Sequence, residues 1–200
     1  MTTFEHWRAT WNALGVPGDE TLYRTLIERY SEPQRYYHTL QHLAECFEHF
    51  AELRAEAERP AEIEYALWFH DAIYNVRRQD NEARSADLAH ECAIGAGLDR
   101  GVAERARSMI LATAHSDLPD DPDTRLLIDV DLWILAAPPE RFAEYETQIR
   151  DEYAWVPGFL FRRKRKKILQ AIADRPRIYS TALFFERYEE RARTNLRSVL

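Results

Sequence analysis

A histidine and an aspartate stand side by side at the end of an apolar run, WFHDAIY over residues 68–74. Burying either group without a partner is costly, because loss of hydration disfavours charge. Yet Ile63, Ala66, Leu67 and Ile73 around them mark the segment as core. One partner that satisfies both a neutral imidazole and a carboxylate is a divalent metal ion. Two further elements strengthen that reading: His38 and His42 upstream in YYHTLQHL, and Asp131 downstream in IDVDLWIL. His38 and His42 share one helix face if the helix has begun by Tyr37. Asp129 and Asp131 lie about 160° apart around a helix, so one ion does not take both. Periodicity alone leaves open which of them faces the site.

The elements that must carry these residues read as helix after helix. Helices are expected over residues 4–14, then from an Asp19 cap to about 30, and from a Thr39 cap onward with Leu40, Leu43, Phe47 and Phe50 at helical spacing. Pro60 suits the first turn of a helix to about residue 74. Asp80 or Asn81 opens the next, ended near Gly95–Gly97, and Asp99 opens one carrying Met109 and Ile110. Asp121 and Pro122 start a helix to about residue 136 that is apolar nearly all round, hence buried. Three more are expected over about 139–153, 158–173 and 181–197. Alternating β-branched runs and hairpin signals are nearly absent. The expected fold is all-α, one domain over residues 1–200, with a motif core at about 36–136 and C-terminal helices at about 137–200.

This ordered set of His, His-Asp and Asp on three helices resembles the HD superfamily of metal-dependent phosphohydrolases, in order and helical context, over residues 36–135. Beyond residue 136, EYETQIRDEYAWVP, FLFRRKRKKIL, RPRIYST and ERYEERARTNL resemble a bacterial and fungal HD branch of predicted phosphohydrolases. The resemblance implies a single-domain helical HD bundle that cleaves a phosphate ester, of a nucleotide or a small phosphorylated metabolite. YHTLQH is similar to the YHNxxH element of the cyclic-nucleotide phosphodiesterases, with Thr39 in place of the Asn. There the second histidine binds metal and the first protonates the leaving oxygen. Carried across, His42 is the ligand and His38 the general acid, with His38 the alternative ligand. The resemblance also favours Asp131 over Asp129, because the final ligand precedes an apolar stretch. The implied metal set is His42, His70, Asp71 and Asp131, with Asp71 also orienting the attacking water.

Two imidazoles and two carboxylates suit Mn²⁺, Fe²⁺, Co²⁺, Ni²⁺ or Zn²⁺ better than Mg²⁺. His115 in ILATAHSD is a candidate for a second metal or for phosphate, or else a helix-end histidine meeting terminal carbonyls. Glu82 reads first as an acid favoured by a helix N-terminus and second as a partner of metal-bound water. Ala72-Ile73-Tyr74 follows the His-Asp pair where the (p)ppGpp hydrolases of the superfamily carry Glu-Asp, which counts against that activity. Two other classes stand as alternatives: a non-catalytic HD module sensing metal or nucleotide, and a di-iron HD oxygenase.

Composition bounds the rest. The 200 residues are 46% hydrophobic and 30% charged, with 27 basic and 34 acidic groups and a net charge of −7. That balance disfavours broad binding to nucleic acid or an anionic membrane. One local exception is the run from Arg162 to Lys167, which wraps a full helical turn and reads first as a solvated face and second as a contact for phosphate or a nucleotide tail. No apolar stretch of about 18 residues exists to span a membrane. The N-terminus lacks the plan of a signal peptide, so the expected compartment is the cytoplasm. Cys46 and Cys92 are too few for a disulfide framework and form no CxxC pair. The expected partner is a small phosphorylated substrate.

Overall fold

The computed structural model describes residues 2–114 and 119–200. The described residues are all-helical, with no strand. The helices are α1 (Phe4–Ala13), α2 (Glu20–Tyr30), α3 (Leu40–Leu53), α4 (Pro60–Phe69), α5 (Asn81–Gly95), α6 (Arg100–Ala112), α7 (Pro122–Asp131), α8 (Pro139–Glu152), α9 (Gly158–Ala173) and α10 (Ala182–Val199). Short 3₁₀ turns follow α3 (Arg54–Glu56) and α7 (Leu132–Ala136). Among the described residues, no helix is long and apolar enough to cross a membrane. The chain forms two compact units, Met1–Ile128 and Asp129–Leu200, with the boundary inside α7.

Side-chain caps account for several helix starts. Asp19 accepts a hydrogen bond from Leu22 N at 2.6 Å, Thr39 from Gln41 N at 3.3 Å and Asp99 from Gly101 N at 2.8 Å. Each satisfies a backbone donor that the first helical turn leaves unpaired. Asp121 does the same for Thr124 N at 2.8 Å. Asp80 departs from the pattern: its carboxylate pairs with Arg78 and bonds no helix N–H.

The first unit is organised around α4, whose residues Ile63 and Tyr65–Phe69 are fully buried. Trp7 of α1 meets Trp68 edge-on at 5.3 Å, and Trp11 meets Tyr65 edge-on at 5.1 Å. Burying a large apolar side chain of this kind contributes about 1.5–3 kcal/mol. α6 packs on both α4 and α5. In the second unit, the 3₁₀ turn after α7 lies against α8 and α10. Asn195 donates to Leu135 O and Ala137 O, both at 2.9 Å, and Tyr179 Oη donates to Leu132 O at 3.1 Å.

Two helix ends differ from the sequence expectation. α4 ends at Phe69, not near residue 74. Trp68 O, the acceptor that Ala72 N–H would use in a further turn, is taken by Tyr30, and Ala72 N–H bonds Phe69 O at 2.9 Å instead; Arg35 holds the carbonyls of the turn that follows. Tyr30 Oη donates to Trp68 O at 3.3 Å, and the Arg35 guanidinium donates to Asp71 O at 2.6 Å and Ala72 O at 3.1 Å. α7 ends at Asp131 and tightens into the 3₁₀ turn, whose carbonyls serve Tyr179 and Asn195. α3 starts at Leu40 after an extended Thr39, as the expected Thr39 cap requires, so the condition for a shared face is not met: His38 precedes the helix that carries His42. Tightening of a last turn is a usual solution at helix ends.

Candidate metal centre

Each histidine and aspartate of the motif is fixed by the element that carries it. His42 lies in the first turn of α3, on the buried side with Leu43 and Cys46. His70 caps the C-terminus of α4, and its Nδ1 lies 2.8 Å from Leu67 O. A carbonyl only accepts, so Nδ1 carries the proton and, in the neutral ring, Nε2 carries the lone pair. Asp71 begins the turn after α4; its backbone N–H donates to Tyr30 Oη at 3.3 Å. Arg35 holds the same turn from below, with further bonds to His38 O at 3.3 Å and from Nε to Glu32 at 3.0 Å.

Three side-chain atoms converge. His42 Nε2 is 3.1 Å from His70 Nε2, His70 Nε2 is 3.1 Å from Asp71 Oδ2, and His42 Nε2 is 3.5 Å from Asp71 Oδ2. Adjacent donors around one ion, each roughly 2.0–2.2 Å from it, stand roughly 3.0–3.5 Å apart. His42 Nδ1 shares a hydrogen bond with Tyr37 Oη at 3.0 Å. With that proton on Nδ1, both Nε2 atoms and the carboxylate oxygen present lone pairs to one point. A cation resolves that repulsion; a ring nitrogen bonded to a carbonyl or hydroxyl behind it is the usual support of a metal-binding imidazole.

Within the first unit, the ligand atoms of His42, Cys46 and His70 also lie within 4.8 Å of one another. His42, Cys46 and His70 are buried, and Asp131 is half-buried. These residues can hold a metal ion. Burial pushes the Asp71 carboxyl up, but His70, His38 and His42 outweigh it and carry the group well below the usual carboxylate range. Burial and the Asp71 charge push the Tyr30 phenol up, so it stays protonated as a hydrogen-bonding post.

The first unit thus brings His42, His70 and Asp71 together and sets His38 beside them; Asp131 lies at the end of α7 in the second unit. The His38 ring stacks on Tyr74 at 4.0 Å and 25°, with its centroid 6.1 Å from that of His42. Glu82 sits half-buried in the first turn of α5. Neighbouring Asn81 and Ser85 close the loop after the motif, through Asn75 and Ile73. His115 lies outside the described residues. Asp129 points elsewhere, accepting from Ser180 N at 2.8 Å and Thr181 N at 2.7 Å ahead of α10. Of the basic run, Arg165 pairs with Glu146 and covers Tyr145, while Arg162, Arg163, Lys164, Lys166 and Lys167 are exposed.

Sequence reasoning missed Cys46, Arg35 and Tyr37. Cys46 had a signal, since it follows His42 by one helical turn. Arg35 had none, because its partners are backbone carbonyls 36 and 37 residues away. A scan of protein-family models, a search of curated proteins and a search of solved structures each find no match to this chain.

Proposed function

We propose that this chain is a metal-dependent phosphohydrolase of the HD type, acting on a nucleotide or a small phosphorylated metabolite. The observation that carries the reading is the triangle of His42 Nε2, His70 Nε2 and Asp71 Oδ2, with edges of 3.1, 3.1 and 3.5 Å. His42, His70, Asp71 and Asp131 would hold a divalent ion, with Mn²⁺, Fe²⁺, Co²⁺, Ni²⁺ or Zn²⁺ better matched than Mg²⁺. Such an ion supplies Lewis acidity toward a phosphoryl oxygen and lowers the pKa of water.

The chain's own groups do the remaining work. Asp71 orients the attacking water and accepts the proton it loses, which then passes to solvent. Water oxygen bonds to phosphorus, the bond to the leaving oxygen breaks, and His38 gives its proton to that oxygen. Tyr74, stacked on His38, fixes the plane of the donor ring. Arg35 keeps the Asp71 turn in register through the carbonyls of residues 38, 71 and 72.

The test is elemental analysis of purified protein, then a panel of nucleotides and phosphomonoesters with Mn²⁺, Co²⁺, Ni²⁺ and Mg²⁺. Metal-dependent turnover that vanishes in His70→Ala and Asp71→Ala, with helical circular dichroism kept, supports the reading. Stoichiometric metal with no turnover across the panel would mean a binding module instead. Equal turnover by chelated and loaded protein would rule out the metal role.

A further inference from the structure

In the second unit, the corner between α8 and α9 is braced from inside and apolar outside. Arg150 donates to Tyr153 O at 2.9 Å and Val156 O at 3.1 Å, and its guanidinium lies over the Phe161 ring at 4.8 Å. On the outer side Trp155 is 51% exposed, Phe159 65% and Leu160 45%. A single exposed apolar side chain is ordinary; three large ones close together on one braced corner mark a contact surface. The basic run follows directly. Arg165 turns inward to Glu146 and Tyr145, while Arg163, Lys164, Lys166 and Lys167 are exposed. Residues four apart share a helix side, so Phe159, Arg163 and Lys167 form one outer row and Leu160 and Lys164 the next. The buried Leu169 and Ile172 occupy the inner side of α9.

We propose that this corner docks on the surface of an anionic lipid bilayer. Trp155, Phe159 and Leu160 enter the boundary between headgroups and acyl chains, and the exposed basic groups meet the lipid phosphates. One helical turn rises about 5.4 Å, which sets the charges at headgroup level when the apolar groups are roughly 5–10 Å deep. The basic stems lie along apolar surface and carry their charges outward. Charge selects the occupant. A second copy seated face to face sets like charges together. A single-stranded nucleic acid uses exposed rings as stacking platforms, a task Leu160 cannot perform. The net charge of −7 belongs to the rest of the chain, since Arg162–Lys167 holds six basic groups and no acid. At physiological salt, exposed charges beyond about 8 Å are largely screened, so the local set governs the contact.

The experiment floats the full chain with phosphatidylserine-rich vesicles and with pure phosphatidylcholine vesicles. Wild type should float with the anionic vesicles, far less with the neutral ones, and lose binding in high salt. Phe159→Ser combined with Leu160→Ser should weaken binding at least about tenfold, the scale of a large apolar side chain kept in water. Arg163→Gln combined with Lys164→Gln should weaken it about 25-fold, at about fivefold for each basic group. All four positions are exposed, so circular dichroism and the thermal midpoint should stay as in wild type. Lipids brominated on the acyl chains should quench tryptophan emission of the wild type, and far less that of Trp155→Phe. Failure of the wild type to float with anionic vesicles overturns the proposal, as does a Phe159→Ser, Leu160→Ser protein that floats equally well. Tighter capture of single-stranded RNA than of vesicles, or a wild-type dimer that these substitutions break without any vesicle binding, assigns the face to that partner instead.

Discussion

His42 and His70 come from helices 28 residues apart, yet their Nε2 atoms face one another at 3.1 Å. A single proton can lie between them, and the Leu67 carbonyl behind His70 draws that ring's own proton to the far side. A cation placed between the rings would take the lone pairs of both Nε2 atoms together with the nearby Asp71 oxygen. Stripping metal with a chelator should lower the thermal midpoint, and returning Zn²⁺ or Co²⁺ should raise it with ion concentration, as mass action requires. His70→Ala should abolish the metal-dependent part of that shift. A midpoint indifferent to chelator and ion would contradict the site.

His38 stands beside the centre, stacked on Tyr74, and not in the triangle. His38→Ala should retain bound metal and lose roughly 10²–10⁴ in rate, the usual worth of a general acid. The loss should shrink for nitrophenyl esters, whose leaving oxygen needs little protonation. His42→Ala should empty the site. If the two variants exchange phenotypes, the roles assigned to the histidines are reversed.

Much of this was legible in the sequence because the physics was local. Asp19, Thr39 and Asp99 cap helices through side chains that reach backbone N–H groups two or three residues on. The apolar run of α4 declares burial by composition alone. The ends of α4 and α7 were not legible, since they are decided by donors distant in the chain: Tyr30 and Arg35 for one, Tyr179 and Asn195 for the other. Whether His38 shares the helix of His42 was left conditional in the sequence, and the Thr39 cap decides against it. Thr39 both caps α3 and turns the chain extended before it.

Arg35 ties the turn carrying Asp71 to the loop carrying His38, with its side chain buried and donating to three carbonyls. A lysine offers a point charge with no planar fork and cannot reach all three. Arg35→Lys should therefore destabilise the fold, by about 1–3 kcal/mol for hydrogen bonds left unmade. It should also weaken metal binding without touching any ligand. Denaturant unfolding and metal titration on the same sample check both; unchanged metal affinity would show that the turn holds its shape unaided.

Glu64 carries a prediction about acid. It lies on α4 within reach of Thr10 at 3.2 Å, His6 at 3.9 Å and Arg54. Burial pushes its carboxyl up, but the hydrogen bond and charge of His6, with Arg54 and Thr10, bring it below its ordinary value. A depressed folded pKa means the unfolded chain binds the proton more readily, so the contribution is full above the unfolded value of about 4.3. It is lost as pH falls through the lower folded value. Glu64→Gln should cost stability at neutral pH, and the gap to wild type should close on acidification below about pH 4. A gap that stays constant into that range would mean the carboxylate charge contributes nothing.

Asp129 and Asp131 sit two residues apart on the same helix end and are given opposite tasks. Asp129 is fully buried and accepts from the N–H groups of Ser180 and Thr181, which fixes the entry to α10. An amide at that position keeps the shape but loses an acceptor, so a donor is stranded. Asp129→Asn should lower stability by about 1–3 kcal/mol while leaving metal content intact. Asp131 is half-buried, and the proposed function makes it the fourth ligand of the metal. Asp131→Asn surrenders the charge that faces the cation, so bound metal and metal-dependent turnover should fall while the thermal midpoint of the chelated protein barely moves. Elemental analysis and thermal unfolding of the two variants side by side decide between them. A stable but metal-free Asp129→Asn protein would transfer the ligand role to Asp129.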